Sequence, residues 1–416
     1  MTHPRRTPPH LATPTLERVA PDGHAEFYAT VTANFMEADA AGREQLDREQ
    51  FGTARKLGFR VDGRWVATFD SVHRTMAVPG GQLDVAAITA VTVAGSYRRR
   101  GLLTQMMRTA LLECPEPAAL LWASEPSIYG RFGFGEATTR LRVTGRAPEM
   151  AFLPEIDLGT GSVDVLPAAE WLALVAPLRE RLRAQRPGWL DRDEGWWRWS
   201  CSDPAEWRDG ALPLQHAAHF DAAGTVTGYA LYSTHAVQQP HGPDGEVRIR
   251  ELVAADSASY ARLWRYLVDL DLMRRIRYPR GERDLPLRDM LASTSSITCE
   301  IADATYLRII DLPTVLGARQ YAADCDVAVS IGDPLIEANR GTWRIRVAER
   351  RAEVAPTTAP ADLSLGIREL SAAYLGGVRL GQLQRAGRVT EHTEGAVGAL
   401  SEALGWHRMP HCLDDF

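Results

Sequence analysis

At 416 residues, 45% hydrophobic and 24% charged, the chain exceeds the size at which a single core stops growing, so two or three domains are expected. No apolar run approaches the ~20 residues that span a bilayer, and the arginines at the start precede no apolar signal segment, so the expectation is a cytoplasmic protein without a membrane partner. A net charge of −6 gives no overall pull toward nucleic acid. The five cysteines, Cys114, Cys201, Cys299, Cys325 and Cys412, form no CxxC pair and read as reduced, mostly buried thiols, with no disulfide framework and no metal site.

Residues 1–22, rich in Pro, Thr and Arg, read as a flexible lead-in. A first lobe over 23–148 opens with helical character at His24–Phe35 and Gly42–Phe51. Three β-rich runs follow, Leu57–Val61, Trp65–Val78 and Leu83–Val93, broken by Asp62-Gly63 and Pro79-Gly80-Gly81. Arg98-Arg99-Arg100 then leads into a helix with apolar residues at three- and four-residue spacing, and Ala118–Ala123 returns as a short buried strand. Over 149–298 the order repeats: helices at Ala168–Ala184 and Asp193–Ser200, strands at Leu214–Asp221, Val226–His235 and Glu246–Ala254, and a helix at Ser257–Met273 with Asp256 as its N-cap. A duplicated lobe is the expectation. From 299 to 416 strands at Tyr306–Asp311, Cys325–Ile331 and Gly341–Ala348 give way to helices at Ile367–Leu375 and Thr393–Leu404, and the fold class is α+β.

Arg98, Arg99, Arg100, Gly101 and Leu102 place a basic turn and a glycine between a strand and the first turn of a helix. Unpaired amides at a helix start, the positive end of its dipole and nearby guanidiniums make an anion site, and a pyrophosphate fits that description. A bare three-arginine run is more often a solvated turn; the strand and helix on either side, and the lack of such a cluster in the second lobe, favour the anion site. Tyr129 lies in Ile128-Tyr-Gly-Arg-Phe-Gly-Phe-Gly135, a glycine-dense loop after the short strand. It reads either as an acid beside a cofactor or, with Phe132 and Phe134, as aromatic core.

The run Arg98-Arg-Arg-Gly-Leu-Leu103 resembles the acetyl-CoA loop of GNAT acetyltransferases, (Arg/Gln)-x-x-Gly-x-(Gly/Ala), with Leu103 replacing the last small residue. With Ala90-Val-Thr-Val-Ala before it and Ala123-Ser-Glu-Pro-Ser-Ile-Tyr-Gly-Arg-Phe-Gly-Phe-Gly135 after it, the chain is similar to the "enhanced intracellular survival" (Eis) branch of that class. The resemblance implies two GNAT lobes, the second without a phosphate loop, then a sterol-carrier-protein-like domain, in a homo-hexamer. It also implies acetyl-CoA as cosubstrate, Tyr129 as general acid and the carboxylate of Phe416 as base. Val91 and Val93 would meet the pantetheine arm through their backbone, and Ser124 would meet the cofactor; Ser124 reads equally as a turn or cap residue.

The apolar residues Trp406, Met409, Leu413 and Phe416 favour a docked tail over a frayed end. Asp414 and Asp415 would make its surroundings negative, and Asp415 is assigned to the substrate side. The acceptor is then a cationic primary amine of aminoglycoside, polyamine or lysine type. The tryptophans at 196, 197 and 199 read as packing rather than a cation cage. The rival reading is an apolar-ligand carrier using the last domain, with non-catalytic GNAT lobes.

Overall fold

The structure, a computed structural model, describes residues 13–37, 42–240 and 242–416. The first part of the chain forms β1 (Thr15–Arg18), α1 (His24–Phe35), α2 (Arg43–Phe51), β2 (Arg55–Val61), β3 (Arg64–Val78), β4 (Gly81–Val93), α3 (Leu102–Leu112), β5 (Ala118–Trp122) and β6 (Gly135–Glu136). The middle forms β7 (Thr139–Arg146), β8 (Ser162–Val165), α4 (Ala168–Arg183), α5 (Glu194–Ser200), β9 (Gln215–Phe220), β10 (Val226–His235), a short ladder of β11 (Gln238–Gln239) and β12 (Gly242–Pro243), β13 (Gly245–Ala254), α6 (Ser257–Val268), β14 (Met273–Gly281), α7 (Leu287–Met290) and β15 (Ile297–Asp303). The last part forms β16 (Thr305–Ile309), α8 (Leu312–Gly317), β17 (Cys325–Gly332), β18 (Gly341–Ala348), β19 (Arg351–Pro356), β20 (Leu363–Gly366), α9 (Ile367–Ala373), α10 (Leu380–Arg385), β21 (Val389–Glu391) and α11 (Ala396–Ala403).

Local chemistry sets the first sheet. Asp62 and Gly63 both take positive φ (48° and 75°), the geometry of a two-residue hairpin that pairs Val61 with Arg64. The helix α3 turns Leu102, Met106, Met107 and Leu111 inward, where they pack with Ile88 and Leu121 of the strands beneath. Residues 15–18 correct the reading of a flexible lead-in: β1 pairs with β2 from Thr15 opposite Arg60 to Arg18 opposite Leu57. All four of its side chains are exposed, so backbone hydrogen bonds hold it and no hydrophobic alternation announces it. The expected thiol burial also needs correction, since among the cysteines Cys412 is buried, Cys299 is exposed and the others lie between.

The first sheet runs β1-β2-β3-β4-β5-β16-β6 and the second runs β8-β9-β10-β13-β14-β7-β15. Position by position they match, down to the parallel pair at the centre of each, β4 with β5 and β13 with β14. The sixth strand of each sheet is exchanged. β16, from after the second lobe, fills the first sheet, and β7, from before it, fills the second. Boundaries at 148 and 298 therefore cut through both sheets: β7 belongs with the second lobe, and the strand near Tyr306 belongs to the first sheet rather than to the last domain.

The exchange leaves one antiparallel ladder running from Leu307 opposite Gly135 to Ile297 opposite Gly145. At its crossing point the buried hydroxyls of Thr138 and Thr305 lie 2.7 Å apart, and the Thr305 amide donates to Thr138 Oγ1 at 3.0 Å. The third sheet, β19-β18-β17-β20-β21, shares a continuous core with the first lobe: Val329, Ile345 and Leu365 cluster with Met76, Val85 and Ile309. Thr138→Val, which orphans the buried Thr305 amide, is expected to cost about 1–3 kcal/mol in denaturant unfolding; Thr305→Val, which removes only the hydroxyl–hydroxyl bond, is expected to cost about 1 kcal/mol.

Candidate active site

The parallel pairing of β4 with β5 covers Val85–Ile88 opposite Ala118–Leu121, and beyond it the strands part. Ala90 takes φ 51° where the pairing of β4 with β3 skips a residue, and the Thr68 hydroxyl holds this bulge by donating to the Ala90 carbonyl at 2.8 Å. A cavity of about 850 Å³ fills the opening. Val91 and Val93 lie along one side, Arg98, Arg99, Gly101 and Leu102 at one end, and Ser124 and Tyr129 on the other side. Asp415 and Phe416 reach it from the end of the chain. Arg100 differs from expectation, for its guanidinium lies 5.4 Å from the centre of the Tyr97 ring rather than in the cavity wall.

At the basic end, Arg99 and Gly101 take φ 60° and 79°, which turns the chain sharply into α3. No side chain caps α3 and no acidic residue occupies its first turn, so its amides remain available as donors. A Cβ added at Gly101 would meet nothing within 4 Å, which leaves the approach to those amides open. Amides, the helix dipole and the exposed Arg98 and Arg99 are a donor set that suits a pyrophosphate.

Tyr129 sits in the 3₁₀ helix Pro126–Phe132, and its ring packs edge-on against Phe134 at 6.0 Å. The ring is core, as one of the two sequence readings has it, and the residue also lines the cavity. Burial, aided by the Glu125 carboxylate, pushes its phenol up to about 12. No described residue hydrogen-bonds to its hydroxyl. Ser124 is exposed and caps nothing, since the N-cap position of the following turn belongs to Glu125.

The tail is docked. Trp122 Nε1 donates to the Asp414 carbonyl at 2.7 Å, Arg280 Nη1 to the Leu413 carbonyl at 3.2 Å, and the His411 amide to the Pro187 carbonyl at 2.9 Å. Phe416 packs edge-on against Trp196, itself fully buried between Phe51 and the Arg74 guanidinium. This makes the tryptophan helix packing, as expected, with one face serving the site.

The expected negative field does not form. Asp414 is buried with Arg179 Nη2 at 2.9 Å and Arg192 Nε at 2.6 Å. Burial alone would raise its carboxyl; the two arginines overcome that and hold it below the ordinary range. Arg192 also pairs with Glu251 at 2.7 Å, and Tyr229 donates to Glu251, which closes a buried network. Asp415 is ion-paired with Arg280. Trp122, Arg179, Arg192, Glu251 and Arg280 escaped the sequence reading because their roles arise only once distant segments meet.

Beside Asp415 a second space of about 490 Å³ continues between the lobes. Its arginines are engaged: Arg43 with Glu37, Arg192 with Glu251, Arg280 with Asp415, and Arg250 with the Ser200 and Ser202 carbonyls at 3.1 and 2.7 Å. The exposed Glu206 has no ion pair among the described residues, and it stands with the rings of Trp199 and Trp207, 6.0 Å apart. Among the described residues no group of three or more His, Cys, Asp or Glu could hold a metal ion.

The lobes and cleft define a GNAT acetyltransferase, and comparison with known proteins agrees. Residues 15–137 and 188–309 each match an acetyltransferase (GNAT) domain family, and residues 312–413 match the sterol carrier protein domain family. An uncharacterized N-acetyltransferase of Streptomyces coelicolor is 39% identical over 371 residues, 87% of this chain and 89% of the relative. The N-acetyltransferase Eis of Mycobacterium bovis is 32% identical over 322 residues, 76% of each chain. The crystal structure of Eis1 from Mycobacterium abscessus superposes with a TM-score of 0.82 at 27% identity, covering 97% of this chain and all of that one. The chain belongs to the Eis family of GNAT N-acetyltransferases, with a C-terminal sterol-carrier-like domain.

The buried pairs make a test of the tail. Asp414→Asn leaves two guanidiniums short of a counter-charge and is expected to cost about 3–5 kcal/mol at neutral pH. Because the folded state holds this carboxyl below its unfolded value, the wild-type advantage is full above pH ~4 and fades as pH falls through the lowered value. Urea unfolding of both proteins across that range checks the sign.

Proposed function

We propose that the 850 Å³ cavity binds acetyl-CoA, the cosubstrate that GNAT domains use, with its pyrophosphate on the α3 amides and on Arg98 and Arg99. The parted strands support a pantetheine arm along the backbone of Val91 and Val93, with Ser124 on the facing wall. The observation that carries the reading is the meeting of the basic turn, Tyr129 and Phe416 in a single cavity, three segments far apart in sequence.

The chemistry assigned to the chain's own groups balances. A carboxylate on Phe416 takes a proton from the acceptor ammonium, and the neutral amine attacks the thioester carbonyl. A C–N bond forms, the C–S bond breaks, the sulfur leaves toward the Tyr129 hydroxyl, and the second proton lost by the nitrogen ends on the departing thiolate to give free CoA. With its phenol raised to about 12, Tyr129 stays protonated at neutral pH and is always a donor. Full transfer to a free thiolate, whose thiol titrates near ~8.5, runs uphill, so Tyr129 acts mainly by hydrogen-bonding the charge that develops on sulfur.

The acceptor in this proposal is a primary amine of aminoglycoside, polyamine or lysine type, entering through the space beside Asp415. Glu206 with Trp199 and Trp207 offers one carboxylate and two aromatic faces to an ammonium group. The arginine-balanced walls favour an acceptor that presents one cationic end there over a densely charged polycation. The carrier reading gains no support from the last domain, whose inner face is packed with Val327, Val329, Ile345 and Leu370.

A thiol-release assay with acetyl-CoA and a panel of amines tests the roles. Tyr129→Phe is expected to lower kcat about 10²-fold or more while calorimetry shows acetyl-CoA still bound. Arg98→Ala with Arg99→Ala is expected to weaken acetyl-CoA and flatten its salt dependence. Undiminished turnover in Tyr129→Phe would remove the tyrosine from the mechanism, and wild-type protein that fails to bind acetyl-CoA would overturn the cofactor assignment.

A further inference from the structure

The second lobe has its own cleft. Parallel pairing of β13 with β14 ends at Arg248 opposite Arg277, β13 continues to Ala254, and a cavity of about 420 Å³ opens beside its end. Val253 to Ser257 line it at the start of α6, as Val93, Arg98, Arg99, Gly101 and Leu102 line the first cavity at the start of α3, and Glu282 follows β14 as Ser124 follows β5. This cavity occupies the position in the second lobe that the acetyl-CoA cleft occupies in the first.

Its chemistry is different. The Asp256 carboxylate accepts from the Ser259 amide at 2.8 Å and the Ser259 side chain completes a capping box, so the start of α6 is already filled by an anion. A phosphate has no place there. Deeper in, Glu282 is only 9% exposed, and its carboxylate meets no hydrogen-bonding group but its own backbone amide and makes no ion pair among the described residues. Arg408, half-buried in the same wall, likewise makes no hydrogen bond or ion pair with a described residue. The other arginine, Arg186, is already committed to Asp284 at 2.7 Å and to the Met409 carbonyl at 3.1 Å. Leu182, Trp189, Leu252 and Met290 give the cavity an apolar wall, and the exposed carboxylates of Glu155 and Asp157 also line it.

A buried carboxylate with no ion pair is costly, and here burial raises its pKa against the more distant pull of Arg186 and Arg408. One buried acid, one half-buried guanidinium, neither ion-paired to a described residue, and an apolar wall describe a complementary ligand. We infer that the second-lobe cavity binds a small zwitterion of amino-acid type, with its ammonium on Glu282, its carboxylate on Arg408 and an apolar side chain against Leu182, Trp189 and Leu252. The volume lies within the range of small-molecule sites.

The test is calorimetry on the full-length protein without acetyl-CoA, titrating L-leucine and L-phenylalanine beside two probes that each lack one charge, isopentylamine and N-acetyl-L-leucine. The amino acids are expected to bind, and to lose about tenfold or more in affinity when either ligand charge is removed and in Glu282→Gln or Arg408→Gln. Ser257→Trp guards against a folding defect: it is an exposed position at the cavity wall, and the added ring is expected to block binding while leaving thermal unfolding unchanged. Absence of binding by both amino acids at millimolar concentration overturns the inference. Equal binding to wild type, Glu282→Gln and Ser257→Trp also overturns it, by placing the ligand elsewhere. Isopentylamine binding as tightly as leucine, with Arg408→Gln without effect, overturns the zwitterion class.

Discussion

The end of the chain reaches the first-lobe cavity because four buried charges hold it there. Arg179 and Arg192 stand between Glu251 of the second sheet and Asp414 of the tail, and the carboxylate of Asp414 is fully buried. Such a network contributes little net stability over a well-packed apolar core, yet it tolerates no missing member. Its value lies in register: two residues beyond Asp414, Phe416 finds the edge of Trp196 and the mouth of the cleft. Trp122, at the end of β5, ties the tail to the opposite wall, so the first lobe, the second lobe and the tail meet within a few residues of Tyr129.

The same backbone plan serves two different ends. In the first lobe the helix after the central strand starts with bare amides and arginines; in the second the equivalent helix starts with its own aspartate. That single difference at an N-terminus separates a helix start with open amides beside exposed arginines from one already filled by its own carboxylate. The tail borders both, with His411 and Leu413 on the second-lobe cavity and Asp415 and Phe416 on the first.

Much of this was legible in the sequence where the cause is local. Asp62-Gly63 marks a hairpin because both residues can take positive φ, Asp256 marks a helix start because its carboxylate reaches an amide three residues on, and Arg98 to Gly101 mark the turn from strand into α3. Where the cause is a distant partner, the residues alone mislead. Asp414 beside Asp415 reads as an acidic patch until Arg179 and Arg192 are brought to it. Thr15–Arg18 reads as loose chain because an exposed edge strand carries no pattern. Residues near Tyr306 read as the start of a new domain, since nothing in a strand states which sheet it will join.

The exchanged strand bears on how the protein is made. β5 is synthesised early, but its neighbour β16 ends at Ile309, and at ribosomal rates of about 5–20 residues per second the two are separated by roughly 10–40 s. During that interval the nascent first lobe presents β5, with Leu120 and Leu121, as an unpaired edge of the kind that joins to strands of other chains. A fragment cut after residue 137, where the first acetyltransferase match ends, would keep that open edge permanently. The first lobe thus needs the chain as far as Ile309 and is not a module that can be excised at the end of its own match.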